Sequence, residues 1–307
     1  MSSDCGDEMQ SSQSLSEALA AAVVASSDAD GERWLTEAME RLAASDDPAA
    51  DLPILSARAR RSVGQSMLGP HGPVLHATEG LIRTETWDLG TAARVALALN
   101  AAGRAADDNR SAALIQGLYR SGDESERIAV VRALSAFDLS DALKGIALDA
   151  GRTNSVALFG ALALANPFPA AHYSEHEFNQ LVLKAVFVEV PVEHVAGLEA
   201  RANPALSRMC EDYVDERTAA GRGFPAGLWL ALAPHAGERA FDLLLDAVIN
   251  GDADHRDLAA TAAARRASAD DAVRQRLQDR ADSAADGRVR TAYANVLSAI
   301  SAPPVSR

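Results

Sequence analysis

The chain has 307 residues, of which 48% are hydrophobic, 23% charged and only 5% aromatic, and it carries a net charge of −14. That is enough chain for one large domain or two small ones with a sizeable core, and pervasive alanine with few aromatics favours close-packed helices over a β-sandwich. The acidic balance excludes a nucleic-acid footprint, no apolar run approaches the roughly 20 residues of a membrane span, and Met1 to Ser14 lacks the basic and apolar regions of a secretory signal. Two cysteines, Cys5 and Cys210, are too few for a disulfide framework or a Cys-type zinc site. A soluble, cytoplasmic, helical protein is expected.

In chain order, residues 1–12 are polar and rich in Ser and Asp, which predicts a disordered tail. Helical periodicity follows over 14–25, 32–44 and 53–67, then Gly69-Pro-His-Gly-Pro73 breaks the chain and a helix spans 89–100. From Asp107 the elements become regular: 107–121, 124–137, 140–150, 153–164, 175–188, 192–199, 204–220, 225–233, 236–249, 254–267, 270–282 and 284–300. Phe178, Leu181, Val182, Ala185 and Val186 make one apolar helical stripe. No strand pattern competes, so no sheet is expected. Helices joined by two to five polar residues predict antiparallel pairs stacked into an all-α, α-α superhelix, a HEAT-like solenoid in a single domain over 13–302.

His172-Tyr-Ser-Glu-His176 matches the H-x-x-E-H pattern of inverted zinc peptidases. The local grammar opposes it. Asn166-Pro-Phe-Pro169 forbids a preceding helix, and Ser174 with Glu177 forms a capping box, so the helix starts at Glu175 and His172 lies outside it. No metal and no cofactor is expected. Glu211-Asp212-Tyr-Val-Asp215-Glu216 resembles a magnesium-diphosphate motif but has no acidic partner motif, and a salt-bridged helix face explains it better. Cys210 lies on the apolar stripe of Leu206, Met209 and Tyr213, as a buried thiol would. Lys184 is one of only two lysines and sits in the most apolar helix, sharing a narrow polar stripe with Glu177 and Gln180. It is either an anchoring or reactive amine, or a side chain that snorkels or pairs with a carboxylate.

Several separated segments resemble the EboA family. They are Arg152-Thr-Asn154, Asn166-Pro-Phe-Pro169, Asn179-Gln-Leu-Val-Leu-Lys-Ala-Val-Phe187, Gly197-Leu-Glu-Ala-Arg-Ala-Asn-Pro204, Asp212-Tyr-Val-Asp-Glu-Arg217 and Ala219-Ala-Gly-Arg222, with Trp87-Asp-Leu-Gly-Thr-Ala-Ala-Arg94 upstream. They cover about 55–235, and 236–302 adds further HEAT-like helices. Val214-Asp215 departs from the family, where a small residue and a His would stand. The resemblance implies a bacterial metabolite-traffic protein of secondary metabolism, encoded beside other enzymes of an ebo-type cluster.

Two functions follow from the resemblance and the missing catalytic constellation. One is a non-catalytic scaffold or small-molecule carrier whose partners are a metabolite or other cluster proteins, without membrane insertion. The other is an enzyme acting on the metabolite precursor through a pocket around Lys184. The candidate ligand-binding residues are Arg152, Asn154, Asn179, Gln180, Lys184, Arg201, Asn203 and Arg217. They either converge on a pocket or cap helices separately; Asn203-Pro204 has the form of an N-cap and N1 pair.

Overall fold

The computed structural model describes residues 11–300, which form two compact units, one through Tyr173 and one from Ser174. Residues 1–10 of the expected tail lie outside the described residues, and Ser11 already caps the first helix. The first unit holds α1 (Ser12–Ser26), α2 (Ala29–Ala43), α3 (Pro48–Val63), β1 (Val74–Ala77), β2 (Gly80–Arg83), α4 (Leu89–Gly103), α5 (Asp108–Ser121), α6 (Glu124–Arg132), α7 (Ser140–Arg152), α8 (Val156–Ala163) and α9 (Phe168–His172). The second holds α10 (Glu175–Phe187), α11 (Pro204–Ala219), α12 (Leu228–Leu232), α13 (Glu238–Asn250), α14 (Ala253–Ala269), α15 (Asp271–Ser283) and α16 (Gly287–Ile300). The protein is mainly helical.

The first unit is built around α4, whose residues from Leu89 to Ala102 are all buried. Its alanines let neighbouring backbones approach, and a Cβ at Gly90 would stand 2.9 Å from Arg60 Cβ. Several polar groups inside this core are satisfied, although the buried Asn100 Oδ1 of α4 finds no partner. Ser16 Oγ donates to the Ala96 carbonyl (2.8 Å), Arg94 Nε to the Ser56 carbonyl (3.1 Å), and Ser56 Oγ to Glu126 (2.7 Å). Around it α1, α2, α3, α5 and α6 pack.

The expectation of no sheet is corrected by the hairpin of β1 and β2, paired antiparallel with Leu75 opposite Ile82. Each strand has four residues, too few to show a period. Leu75 and Ile82 face the core, while Val74 and Leu81 stay exposed. Tertiary contacts hold the tip: Thr78 Oγ1 donates to Asp138 (3.0 Å) and Glu79 accepts from Ser140 Oγ (2.7 Å).

Three other expectations shift. Helix α3 starts at Pro48 because Asp47 caps it, accepting from Ala50 N–H, and it ends at Gly64, whose φ is +93°. Asn166-Pro-Phe-Pro169 does not exclude a helix: Pro167 is the N-cap of α9 and Pro169 lies in its first turn, where no N–H is required. The 192–199 helix is instead a 3₁₀ turn at Val192–His194 followed by turns, with Gly197 at φ +74°.

In the second unit α12 is buried throughout and covered by α11 and α14. Trp229 Nε1 donates to His255 Nδ1 (3.0 Å), which leaves His255 Nε2–H to donate to the Phe224 carbonyl (3.0 Å). An indole N–H only donates and a carbonyl only accepts, so these two bonds define a neutral imidazole carrying its proton on Nε2.

Candidate functional site

Three of the polar residues expected to bind ligand form a knot between α10 and α11. The capping box of Ser174 and Glu177 starts α10 at Glu175, as the sequence predicts. Helix α10 then buries Phe178, Leu181, Val182, Ala185 and Val186, and with them the side chain of Asn179. Asn179 and Asn203 exchange reciprocal amide hydrogen bonds of 3.1 and 2.9 Å. Asn203 also accepts from Leu206 N–H (2.9 Å) as the N-cap of α11 and donates to the Arg201 carbonyl (3.0 Å). Both amide donors and both oxygen lone pairs of Asn203 are thereby engaged. The Arg201 guanidinium lies 4.8 Å above the Phe178 ring. This cluster holds two helices in register.

The remaining members are dispersed. Arg217 Nε donates to the Gly223 carbonyl (2.7 Å), closing the turn after α11. Gln180 is exposed and Lys184 half-buried, with burial lowering the Lys184 pKa. In the first unit Arg152 is the exposed last residue of α7, and Asn154 is exposed beside Ser155, which caps α8 in its place.

His172 closes α9 and places Nε2 2.6 Å from the Glu79 carboxylate, whose side chain is only 4% exposed. His176 lies in α10 with its ring exposed. Among the described residues no group of three His, Cys, Asp or Glu side chains is placed to hold a metal ion. The acidic run on α11 has structural partners: Glu211 accepts from Gly237 N–H (2.8 Å) and Asp215 pairs with Arg239.

The second unit also has a partly open cavity of about 390 Å³ between the 198–235 segment and α14. Leu198, Ala202, Leu230 and Ala262 supply its apolar wall, and Arg265 and Arg266 line it beside His235 and the Glu199 and Asp270 carboxylates. A cavity of this size is at the lower end of ligand pockets, which span roughly 300–1,000 Å³. Arg266 Nη1 donates to the carbonyls of Ala233 (2.7 Å) and Ala236 (2.8 Å), and its guanidinium stacks 5.0 Å from the Phe241 ring centroid. Burial lowers the Arg266 pKa. Sequence reasoning missed this site, because the adjacent Arg265 and Arg266 near the end of an alanine-rich helix look like an ordinary basic C-terminus.

The family model described as "Metabolite traffic protein EboA" matches residues 15–233, from within α1 through α12. No curated protein and no solved structure matches the chain.

Proposed function

The chain belongs to the EboA family of metabolite traffic proteins, and from that premise we propose that it is a non-catalytic carrier holding a small metabolite in the cavity beside α14. The observation that carries this reading is the cavity itself, with an apolar wall and a half-buried arginine at its side. Such a combination orients one polar end of a ligand while the body is desolvated. We place the protein in secondary-metabolite precursor handling on the cytoplasmic side, with other proteins of its cluster as partners. No described helix is long and apolar enough to cross a membrane. The contacts of the sequential helices α13 with α14 and α15 with α16 favour a HEAT-like stacking of helix pairs.

Native mass spectrometry of the purified full-length chain tests the carrier. A retained small molecule is expected, and Ala269→Trp, which fills the cavity mouth from the exposed end of α14, should release it without changing the melt. Absence of any retained molecule, together with unaltered metabolite output in Ala269→Trp, would overturn the reading.

A second reading, an enzyme using the Lys184 amine, is favoured by one observation: burial lowers the pKa of that amine. Lys184→Met separates the two, since a carrier keeps its metabolite and an enzyme loses turnover.

A further inference from the structure

Among the described residues the Arg266 guanidinium forms no ion pair with its own protein; its Nη1 bonds only neutral carbonyls. Three carboxylates lie near enough to act on it, Asp270, Glu238 and Glu211. Each is engaged elsewhere. Asp270 caps α15, accepting from the N–H groups of Ala272 (2.9 Å) and Val273 (3.3 Å). Glu238 pairs with Arg276 at 2.5 Å, and Glu211 accepts from Gly237. None forms an ion pair with Arg266 among the described residues. Its Nε is buried with no acceptor, and its two bonded carbonyls are neutral. A guanidinium removed from water without a counter-charge is costly, and partly buried charges ordinarily meet an opposite one. Beside this guanidinium Arg265 and Glu199, which both line the cavity, form only a loose exposed pair at 4.0 Å.

Taking the carrier reading as its basis, we propose that the cavity takes a small amphiphilic anion. One oxyanion, a carboxylate or a phosphate, sits against the Arg266 guanidinium, and an apolar body the size of one or two rings lies against Leu198, Leu230 and Ala262. Arg266 is the specificity-determining residue. Its two bonds to the Ala233 and Ala236 carbonyls and its stacking on Phe241 fix the fork, so an incoming anion meets a donor already oriented. Neutral polyols would leave the Arg266 guanidinium without an ion-pair partner.

The test is calorimetric titration of the full-length chain with 2-naphthoate, 2-naphthyl phosphate and the uncharged 2-naphthamide. At least one anion should bind tenfold or more tightly than the amide, and raising the salt concentration should narrow that gap. Whichever anion binds tighter identifies the oxyanion. Arg266→Gln should bring the preference close to unity, while Arg265→Ala should retain most of it. Since Arg266 also holds two backbone carbonyls, the wild-type comparison of acid with amide decides the ligand class even if the variant unfolds. Equal binding of the amide would overturn the anion assignment and leave the carrier standing. Loss of the preference in Arg265→Ala alone would overturn the role of Arg266. Binding of none of the three probes would also overturn the anion assignment, and the carrier would then be decided separately by the retained-metabolite measurement.

Discussion

Lys184 is held in surroundings that disfavour its charge: burial on the flank of α10 lowers its pKa below the ordinary 10.5. Below the folded-state value both folded and unfolded chains are protonated, and the cost of the charge is fully present. As pH rises from that value towards the ordinary lysine value, the folded chain releases its proton first and stability increases. Lys184→Met should therefore lack the alkaline gain in thermal stability that the wild type shows. A drop of several degrees at pH 7 would show instead that a carboxylate depends on the ammonium. Cys210 is the opposite kind of group, a thiol whose burial, with the neighbouring Glu211 carboxylate, pushes its pKa up to about 12. In a Cys5→Ser background, iodoacetamide at pH 8 should leave the native chain unlabelled and label it fully in guanidinium. Rapid labelling of the native form would contradict this. The burial of Cys210 is legible in the sequence, because it shares a helical stripe with Leu206. The predicament of Arg266 is not, because it depends on how three distant carboxylates are employed.

At the scale of the element, the polar knot of Asn179 and Asn203 couples two helices. Asn203→Ala removes the N-cap bond to Leu206 and leaves the buried Asn179 amide without its partner. Loss of a cap costs about 1 kcal/mol and an unsatisfied buried polar group about 1–3 kcal/mol, so urea titration should show a loss of about 2–4 kcal/mol. Replacing both asparagines with alanine should cost less than the sum of the single losses, since the second removal strands nothing new. Strict additivity would exclude the coupling. The pair also marks where sequence reasoning ends. Asn203-Pro204 is a local signal and predicts its cap correctly. The partner of that cap lies 24 residues away, and no periodicity reveals it. The same limit explains the hairpin. Four-residue strands carry no readable alternation, and what fixes Glu79 at their tip is Ser140 and His172, brought there by the fold. Long amphipathic helices such as α10 and α13 were legible because each buries its stripe by the rule that produces it.

At the scale of the whole molecule, the family segment and the folded unit end in different places. The match stops at residue 233, immediately after α12, yet α12 is buried in part by helices beyond that point. His255 on α14 bonds the Trp229 indole, and Arg266 on the same helix bonds the carbonyls of Ala233 and Ala236. A chain ended after Ala236 would therefore keep every family motif and lose one wall of its second unit. Leu228, Trp229, Leu230 and Leu232 would lose part of their cover, and a fully buried side chain of this kind contributes roughly 1.5–3 kcal/mol. Even half of that sum is comparable with the lower end of a domain's stability, about 5–15 kcal/mol. Hydrogen exchange on the truncated chain should show amide protection lost over 204–232. It should also show no preference of the chain for naphthoate over naphthamide, because Arg266 is gone. Protection equal to that of the full-length chain would mean that α11 alone suffices to cover α12, and that α13 to α16 are an independent addition.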